Sequence, residues 1–348
     1  MSNQFLDSGI SIILYLQNLG DWLVAPMQFF SFLGTEEFYL FVAPAVYWCL
    51  SAAIGLRVGL SLMISGTLNS FFKIGLHGPR PFWFDTRVRA LASETSFGIP
   101  SGHAQHAVVV WGALAASLRR RWAWFGAGLM AFFIGLSRLV LGVHFLSDVV
   151  LGWLIGLLLL WAVLRLERPV LAWLASLNLT QKLGAILTAS LVLMLPGFLA
   201  RASLGAWQVP TAWLENALRA LPSEPQPDPL ALSGLISNAG VFFGLAAGAV
   251  VLNKFGGFDA SGPWWQRLLR FPIGLLGVIL LWMGLGSLFP DGEYLWAYLL
   301  RYLRYALVGL WVSALAPWSF MRLGLAARAD RIFDLHRIPP VIPPGQPS

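Results

Sequence analysis

SDVVLGWLIGLLLLWAVLRLER, residues 147–168, carries no charge between Val149 and Leu164 and then turns abruptly basic. An α-helix needs about 20 mostly apolar residues to cross the hydrocarbon core of a bilayer. The run 147–166 therefore reads as a membrane span with Arg165 and Arg168 after its last turns. The pattern recurs at 38–55, 57–76, 103–118, 123–143, 183–200, 234–253, 271–289 and 297–317. An earlier segment, Ile10 to Leu33, is interrupted by Asn18, Gly20 and Asp21, and its composition favours lying in the interface over spanning. Of the 348 residues, 57% are hydrophobic and 11% are charged, against about 25% charged in a soluble domain. Mean hydropathy is +0.71. The 17 Trp and the Tyr near run ends suit the aromatic belts of a bilayer interface. The fold class is all-α: a polytopic helical transmembrane protein.

The net charge of +7 could suggest nucleic acid, but the basic residues are scattered at run ends and form no solvated basic domain. Orientation in a membrane explains them better, and no nucleic-acid partner is expected. If the spans alternate, Arg57, Arg119, Arg120, Arg121, Arg165, Arg168, Lys254, Arg267, Arg270 and the tail arginines 322, 328, 331 and 337 fall on one side. Short loops rich in Arg and Lys stay cytoplasmic. The opposite side receives Glu36 and Glu37, loop 77–102, the 143–147 turn, the Pro-rich loop 201–230 and the Asp291/Glu293 turn. The single cysteine, Cys49, excludes an internal disulfide and a Cys-based metal cluster. The start, MSNQFLDSG, lacks the basic region of a cleavable signal peptide.

Three polar clusters interrupt this apolar chain, all on the side opposite the basic loops. They are KIGLHGPRP (73–81), PSGH (100–103) and SRLVLGVHFLSD (137–148). Ionisable groups at membrane depth are costly and default to a functional reading. Lys73, Arg80 and Arg138 together suit a multiply charged anion: arginine grips phosphate oxygens with a fork, and lysine acts as a point charge. Ser101 is placed as the N-cap of a helix beginning at Gly102. That leaves the N–H groups of Ser101, Gly102 and His103 aimed outward as an anion site. Gly102 permits close backbone approach. His144 and Asp148 stand four residues apart, so on a helix they would share a face. A carboxylate on one imidazole nitrogen fixes the tautomer and supports developing charge. His144 is thus suited to be nucleophile or base, and His103 to be the general acid across the pocket.

The patterns K-x6-RP at Lys73, Arg80 and Pro81, PSGH at 100–103, and SR-x5-H-x3-D at Ser137, Arg138, His144 and Asp148 resemble the three signatures of the type 2 phosphatidic acid phosphatase (PAP2) superfamily. The resemblance spans about residues 38–166 and implies a PAP2-like helical bundle with its site at the outer membrane face. It implies a metal-independent, cofactor-free phosphatase. In that reading His144, oriented by Asp148, attacks phosphorus to give a phosphohistidine, and His103 protonates the leaving oxygen. Lys73, Arg80, Ser101, Gly102, Arg138 and, less firmly, Ser137 hold the phosphoryl oxygens. The C-terminal spans have no counterpart in the minimal family core. The expected organisation is an N-terminal interfacial or membrane helix (1–36), a PAP2-like catalytic core (37–170), an additional transmembrane region (171–320) with outer loop 201–230, and a basic, Pro-rich cytoplasmic tail (321–348).

The expected activity is hydrolysis of a lipid phosphate or diphosphate, such as a polyprenyl diphosphate, phosphatidic acid or phosphatidylglycerol phosphate. The expected place is a bacterial cytoplasmic membrane, with the site facing the periplasm or exterior. The alternatives are a lipid phosphotransferase and a lipid transporter or flippase with a phosphatase-like front half. His106, one turn after His103, and His77 are further candidates for substrate contact, each with packing as its simpler reading. Phe82, Trp83 and Phe84 could shape a headgroup entrance, and Arg87, Arg89 and Glu94 could tune headgroup choice. Arg301 and Arg304 share a face of the last span and are read as interface anchors.

Overall fold

A computed structural model describes residues 3–329; the Pro-rich part of the tail from residue 330, with Arg331 and Arg337, lies outside the described residues. Among the described residues the regular structure is helical, apart from one isolated β-bridge between Phe258 and Arg328, and non-helical connections span 85–101, 221–232 and 255–263. The N-terminal part holds α1 (Asn3–Asn18), α2 (Val24–Phe32), α3 (Glu36–Cys49), α4 (Ala52–Leu76) and the short α5 (Pro81–Phe84). Then follow α6 (Gly102–Leu118), α7 (Arg121–Val140), α8 (Leu146–Ser176) and α9 (Leu179–Ser203). The chain ends with α10 (Thr211–Ala220), α11 (Ser233–Lys254), α12 (Trp264–Ile279), α13 (Leu285–Leu288), α14 (Leu295–Leu310) and α15 (Ala316–Arg322). Single π turns join α12 to α13 and α14 to α15, so each pair continues as one long helical segment.

Seven helical segments among the described residues are long and apolar enough to cross a membrane, and an eighth results if α2 and α3, bent by 48° at their junction, act as one. This confirms an integral membrane protein and refines the expected spans. The run 38–55 is not one helix: α3 stops at Cys49, and Ser51 starts α4 by accepting the Ile54 N–H at 3.4 Å. At 1.5 Å per residue the 14 residues of α3 rise only about 21 Å, short of a hydrocarbon core of about 30 Å. Helix α6 is also short, at 17 residues. It is packed between α4, α7 and α8, so protein rather than lipid surrounds it. Helix α8 runs ten residues past the expected end of its span, to Ser176. Loop 201–230 is not wholly irregular either, because it folds the amphipathic α10 against α5.

The catalytic-signature helices meet through small residues. A Cβ added at Gly152 of α8 would stand 2.6 Å from the Ser101 carbonyl oxygen and 3.2 Å from the Ala104 Cβ. One at Gly156 would stand 2.8 Å from the Gln105 carbonyl oxygen. Only glycine lets α8 lie this close to the start of α6. The C-terminal helices are tied to the same bundle, with α11 packed on α4, α9 and α14. At the end of α3, Trp48 Nε1 donates to the Val312 carbonyl at 2.8 Å and the Tyr47 hydroxyl to the Ser313 carbonyl at 2.9 Å. Arg270, fully buried, donates to the carbonyls of Trp48, Ala260, Ser261 and Leu325 at 2.7–3.1 Å. The Trp48 carbonyl lies in the last turn of α3, where carbonyls lack helical partners, and the other three lie before α12 and after α15, so this guanidinium ties three segments together.

Candidate active site

The three polar clusters converge at one end of the bundle. Lys73 comes from the last turn of α4 and Arg80 from the N-cap of α5. Ser101, Gly102 and His103 form the start of α6, and Arg138 lies in the last turn of α7. His144 lies in the turn before α8, and Asp148 in the first turn of α8. Arg80, Ser101, Arg138, His144 and Asp148 are all buried. Ordered burial of so much charge at helix ends requires dense pairing, and the pairing is visible.

Arg80 uses its whole fork. Nε donates to the Ser96 carbonyl at 2.7 Å, and Nη2 to Glu94 Oε2 at 3.0 Å and to the Phe97 carbonyl at 3.2 Å. Nη1 donates to the Val143 carbonyl at 3.0 Å and lies 3.2 Å from His144 Nε2. Arg138 pairs with Ser31 Oγ and with Glu94 Oε1. Lys73 Nζ donates to Ser96 Oγ at 2.7 Å. His103 Nδ1 lies 3.9 Å from Glu94 Oε1. The Glu94 carboxylate thus stands among Arg80, Arg138 and His103, held from one side by Arg80 beside His144 and from the other by Arg138 beside His103. An anionic, two-oxygen group already fits this seat.

His144 and Asp148 do not share a helical face as expected, because His144 precedes the first residue of α8. Their contact forms across the helix start. Asp148 Oδ2 accepts the Phe145 N–H at 2.9 Å, capping the helix, and the same oxygen stands 3.4 Å from His144 Nδ1. An Arg N–H can approach Nε2 only along its lone pair, so the hydrogen-bond network assigns the proton to Nδ1, facing Asp148. Burial pushes the His144 imidazole well below its ordinary pKa, and Arg80, Arg138 and Lys73 push the same way. Glu94 is the reverse case. Burial alone would raise its pKa, yet Arg80, Arg138, His103 and Lys73 together hold it well below the usual carboxylate range.

The start of α6 departs from expectation in one respect. The Ser101 N–H does not face the seat, since it donates to the Asp148 carbonyl at 2.9 Å, while Ser101 Oγ accepts the Ala104 N–H at 3.4 Å. Gly102 and His103, at the first two helical positions, are the N–H groups left without an intrahelical acceptor. Ser137 also stands outside the seat, its hydroxyl donating to the Ile134 carbonyl at 2.7 Å. His106 is buried beside Ser65, with 2.8 Å between Oγ and Nδ1, and acts as a packed, hydrogen-bonded helix residue. His77 ends α4 and packs its ring on Phe97 and Trp207. Trp83 is buried core, and Phe82, also buried, lines the cleft beside Glu94. Arg87 pairs with Asp85, Arg89 with Asp21 and Arg301 with Asp291, while Arg304 is buried with its guanidinium over the Tyr305 ring.

Beneath the seat lies a polar layer that sequence reading left unused. Asn69 Nδ2 donates to Gln105 Oε1 at 3.0 Å, and Gln105 Nε2 donates to the Ser65 carbonyl and hydroxyl, both at 2.9 Å. Its signal was present: Ser61, Ser65, Asn69 and Lys73 recur every four residues, a polar stripe on one face of an apolar helix. Glu94 carried no such signal, since loop residues obey no period. The loop that bears it is anchored by Gln17 of α1, which donates to the carbonyls of Arg89 at 2.9 Å and Val140 at 3.1 Å and accepts the Arg89 N–H at 3.1 Å.

A bundle of membrane-spanning helices with paired histidines around a polycationic seat is the architecture of a membrane phosphatase. The comparisons with known proteins agree. The PAP2 superfamily profile matches residues 54–171, and a profile described as PAP2 superfamily phosphatase, transmembrane extension, matches residues 236–328. Phosphatidylglycerophosphatase B of Bacillus subtilis is 31% identical over 165 residues, covering 43% of this chain and 77% of its own. Glucose-6-phosphatase 3 of Bos taurus is 29% identical over 351 residues, covering 90% of this chain and 94% of its own. The crystal structure of the transmembrane PAP2-type phosphatidylglycerolphosphate phosphatase from Bacillus subtilis matches 48% of this chain and 88% of its own, at 26% identity and a TM-score of 0.43. The chain belongs to the PAP2 superfamily. It is an integral membrane phosphatase.

Proposed function

We propose that this enzyme hydrolyses a lipid phosphate or diphosphate through a phosphohistidine at His144, on the extracytoplasmic face of a bacterial cytoplasmic membrane. The observation that carries the reaction is the Arg80 Nη1 to His144 Nε2 contact of 3.2 Å. It marks Nε2 as the nitrogen with the lone pair and puts it beside a cation that a phosphoryl group would neutralise. The phosphoryl group takes the seat that Glu94 fills, and the Glu94 carboxylate gives way. Nε2 forms the N–P bond as the bond from phosphorus to the leaving oxygen breaks. His103 gives that oxygen its proton, and the Nδ1–H toward Asp148 steadies the charge that develops on the ring. Arg80, Arg138, Lys73 and the N–H groups of Gly102 and His103 hold the remaining oxygens. His103, now neutral, takes a proton from water as the water attacks phosphorus. The N–P bond then breaks and inorganic phosphate leaves. This is covalent catalysis combined with preorganised charge stabilisation.

The lipid preference rests on a seat at the ends of membrane-spanning helices, where an amphiphile's headgroup would lie. The side of the membrane rests on the Arg-rich loops at the opposite end. A second reading, a soluble sugar phosphate, is favoured by one observation: the similarity to a glucose-6-phosphatase runs through the extension as well as the core. The deciding experiment is phosphate release by the purified enzyme, with EDTA present. The substrates are a polyprenyl diphosphate, phosphatidic acid, phosphatidylglycerol phosphate and glucose 6-phosphate, and His144→Ala serves as control. Release that survives EDTA and disappears in the variant supports the mechanism, and the preferred substrate chooses between the readings. Release unaffected by the loss of His144 would overturn it. Phosphorylated product appearing in place of free phosphate would assign the chain to phosphotransfer instead.

A further inference from the structure

A second chamber lies in the other half of the bundle, between α4 and α8 of the catalytic part and α9 and α11 of the extension. It is a groove open along one side, where Leu166, Val170 and Trp173 of its wall are exposed, and its volume is about 960 Å³, near the upper end of the range of about 300–1,000 Å³ for organic-ligand sites. Most of its wall is aliphatic or aromatic, with Leu60, Ile64, Val163, Ile186, Phe242 and Val250 typical of it. Its four charged wall residues share one end. Arg57 lies near the start of α4, Glu167 late in α8, Lys182 in the first turn of α9, and Lys254 is the last residue of α11. That end is opposite Lys73, which closes α4 at the active site.

The charges do not cancel. Arg57 is matched by Glu167, with 2.9 Å between Nη2 and Oε2, and its Nη1 also donates to Ser117 Oγ. Lys182 and Lys254 have no carboxylate within pairing distance among the described residues. The chamber is therefore apolar along its length, with a net charge of two positive units at its mouth. Its walls belong to segments that themselves span the membrane. A long apolar body ending in anion-binding cations, placed at membrane depth, is complementary to a diacyl lipid with an anionic headgroup. Water suits it poorly, since most of the wall offers no hydrogen-bond partner.

We propose that this chamber is a binding site for an anionic phospholipid, its acyl chains between the catalytic helices and the extension and its phosphodiester on Lys182 and Lys254. The lipid then forms part of the seam joining the two halves. The site is separate from the phosphatase seat and does not depend on which substrate that seat takes. A lysine near a membrane surface favours an anionic lipid by an amount worth about fivefold in affinity, so two give about 30-fold.

The test is native mass spectrometry of the full-length protein, delipidated in detergent and titrated with phosphatidylglycerol or phosphatidylcholine of matched chains. Glycerol phosphate is added as a chainless competitor. The wild type should retain phosphatidylglycerol about 10- to 30-fold better than phosphatidylcholine, and glycerol phosphate should not displace it. The double variant Lys182→Gln/Lys254→Gln should bring the two lipids to parity. Ala246→Phe, which fills the chamber from α11, should weaken both. Both lysines lie at helix ends, so the double variant decides the matter even if Ala246→Phe does not fold. Equal retention of both lipids by the wild type, or an undiminished preference in the double variant, would overturn the proposal. Displacement by glycerol phosphate would also overturn it, because it would reduce the site to a surface anion contact.

Discussion

Asp148→Asn isolates the charge of Asp148 from its geometry. In the native site one oxygen, Oδ2, serves both donors, the Phe145 N–H and His144 Nδ1, while Oδ1 meets only Ser147 Oγ at 3.4 Å. Asparagine can place its single carbonyl oxygen where Oδ2 stands and turn its NH₂ toward Ser147, whose hydroxyl can accept. The helix cap and the Nδ1–H tautomer then survive, and only the negative charge behind the imidazole is lost. A hydrogen bond to a charged group contributes about 1.5–3 kcal/mol. Losing that contribution as the ring becomes cationic predicts a fall in kcat of about 10- to 150-fold. A wrong tautomer, by comparison, costs about 10⁴-fold in a Ser-His-Asp triad. The assay is steady-state phosphate release, with single-turnover trapping of acid-labile phosphoprotein to separate formation of the N–P bond from its hydrolysis. Asp148→Ala should be worse in both rate and stability, losing the charge and about 1 kcal/mol of helix cap together. A 10⁴-fold loss in Asp148→Asn would refute the one-oxygen geometry, and wild-type turnover would refute any part for the charge.

The remaining predictions concern pH, the anion seat and the packing behind it. His144 is held neutral by burial and by nearby cations, so the acid limb that its protonation imposes on kcat/KM should fall below about pH 6.5. Its depressed native pKa means that the unfolded chain binds the extra proton first. Stability is therefore full above about pH 6.5 and declines on acidification, with Glu94, likewise depressed, adding a further decline below about pH 4.3. Thermal unfolding followed across pH 2–8 reads both limbs, and a stability that rises on acidification would contradict the assignment. Glu94→Gln should lower Tm by about 2–5 °C, because Arg80 and Arg138 lose their shared counter-charge. Orthovanadate should then raise Tm more in the variant than in the wild type, whereas equal shifts would separate Glu94 from the seat. Gly152→Ala puts a methyl 2.6 Å from the Ser101 carbonyl and should cost about 1–3 kcal/mol with at least tenfold in kcat. Unaltered kinetics would show that the contact has slack.

Much of this was legible in the chain itself, for identifiable reasons. Apolar runs announce helices because the bilayer admits few alternatives, so α7, α9 and α11 lie close to where hydropathy places them. The break at Leu50–Ser51 is harder to see, since a Ser N-cap inside an apolar run barely disturbs hydropathy. The eight expected site residues do come together, because the signatures are local motifs that put their side chains at helix ends on one side of the membrane. Finer geometry is not local. Whether the Ser101 N–H faces ligand or the Asp148 carbonyl depends on how closely α8 approaches α6, which is set by Gly152 and Gly156. Glu94 belongs to a loop whose position is fixed by Gln17, 72 residues away in sequence from Arg89. No window of sequence contains that contact.

The hydrogen bond from the Ser101 N–H to the Asp148 carbonyl works as a ruler. It joins the peptide that begins the His103 helix to the peptide that carries the carboxylate behind His144, and so, in the proposed mechanism, sets the gap between the proton donor and the nucleophile. That gap suits any phosphate, because the distance between phosphorus and its leaving oxygen hardly varies among esters. Selectivity has to be written elsewhere, in the segment that carries Glu94 and in the stretch around α10, which is joined to it by the Asp228 N–H to Thr95 carbonyl bond and by Asn216 on the Trp83 carbonyl. Catalysis and choice are thereby assigned to separate parts of the chain. Exchanging residues 85–97 and 205–230 between relatives should change what is hydrolysed while leaving how it is hydrolysed untouched.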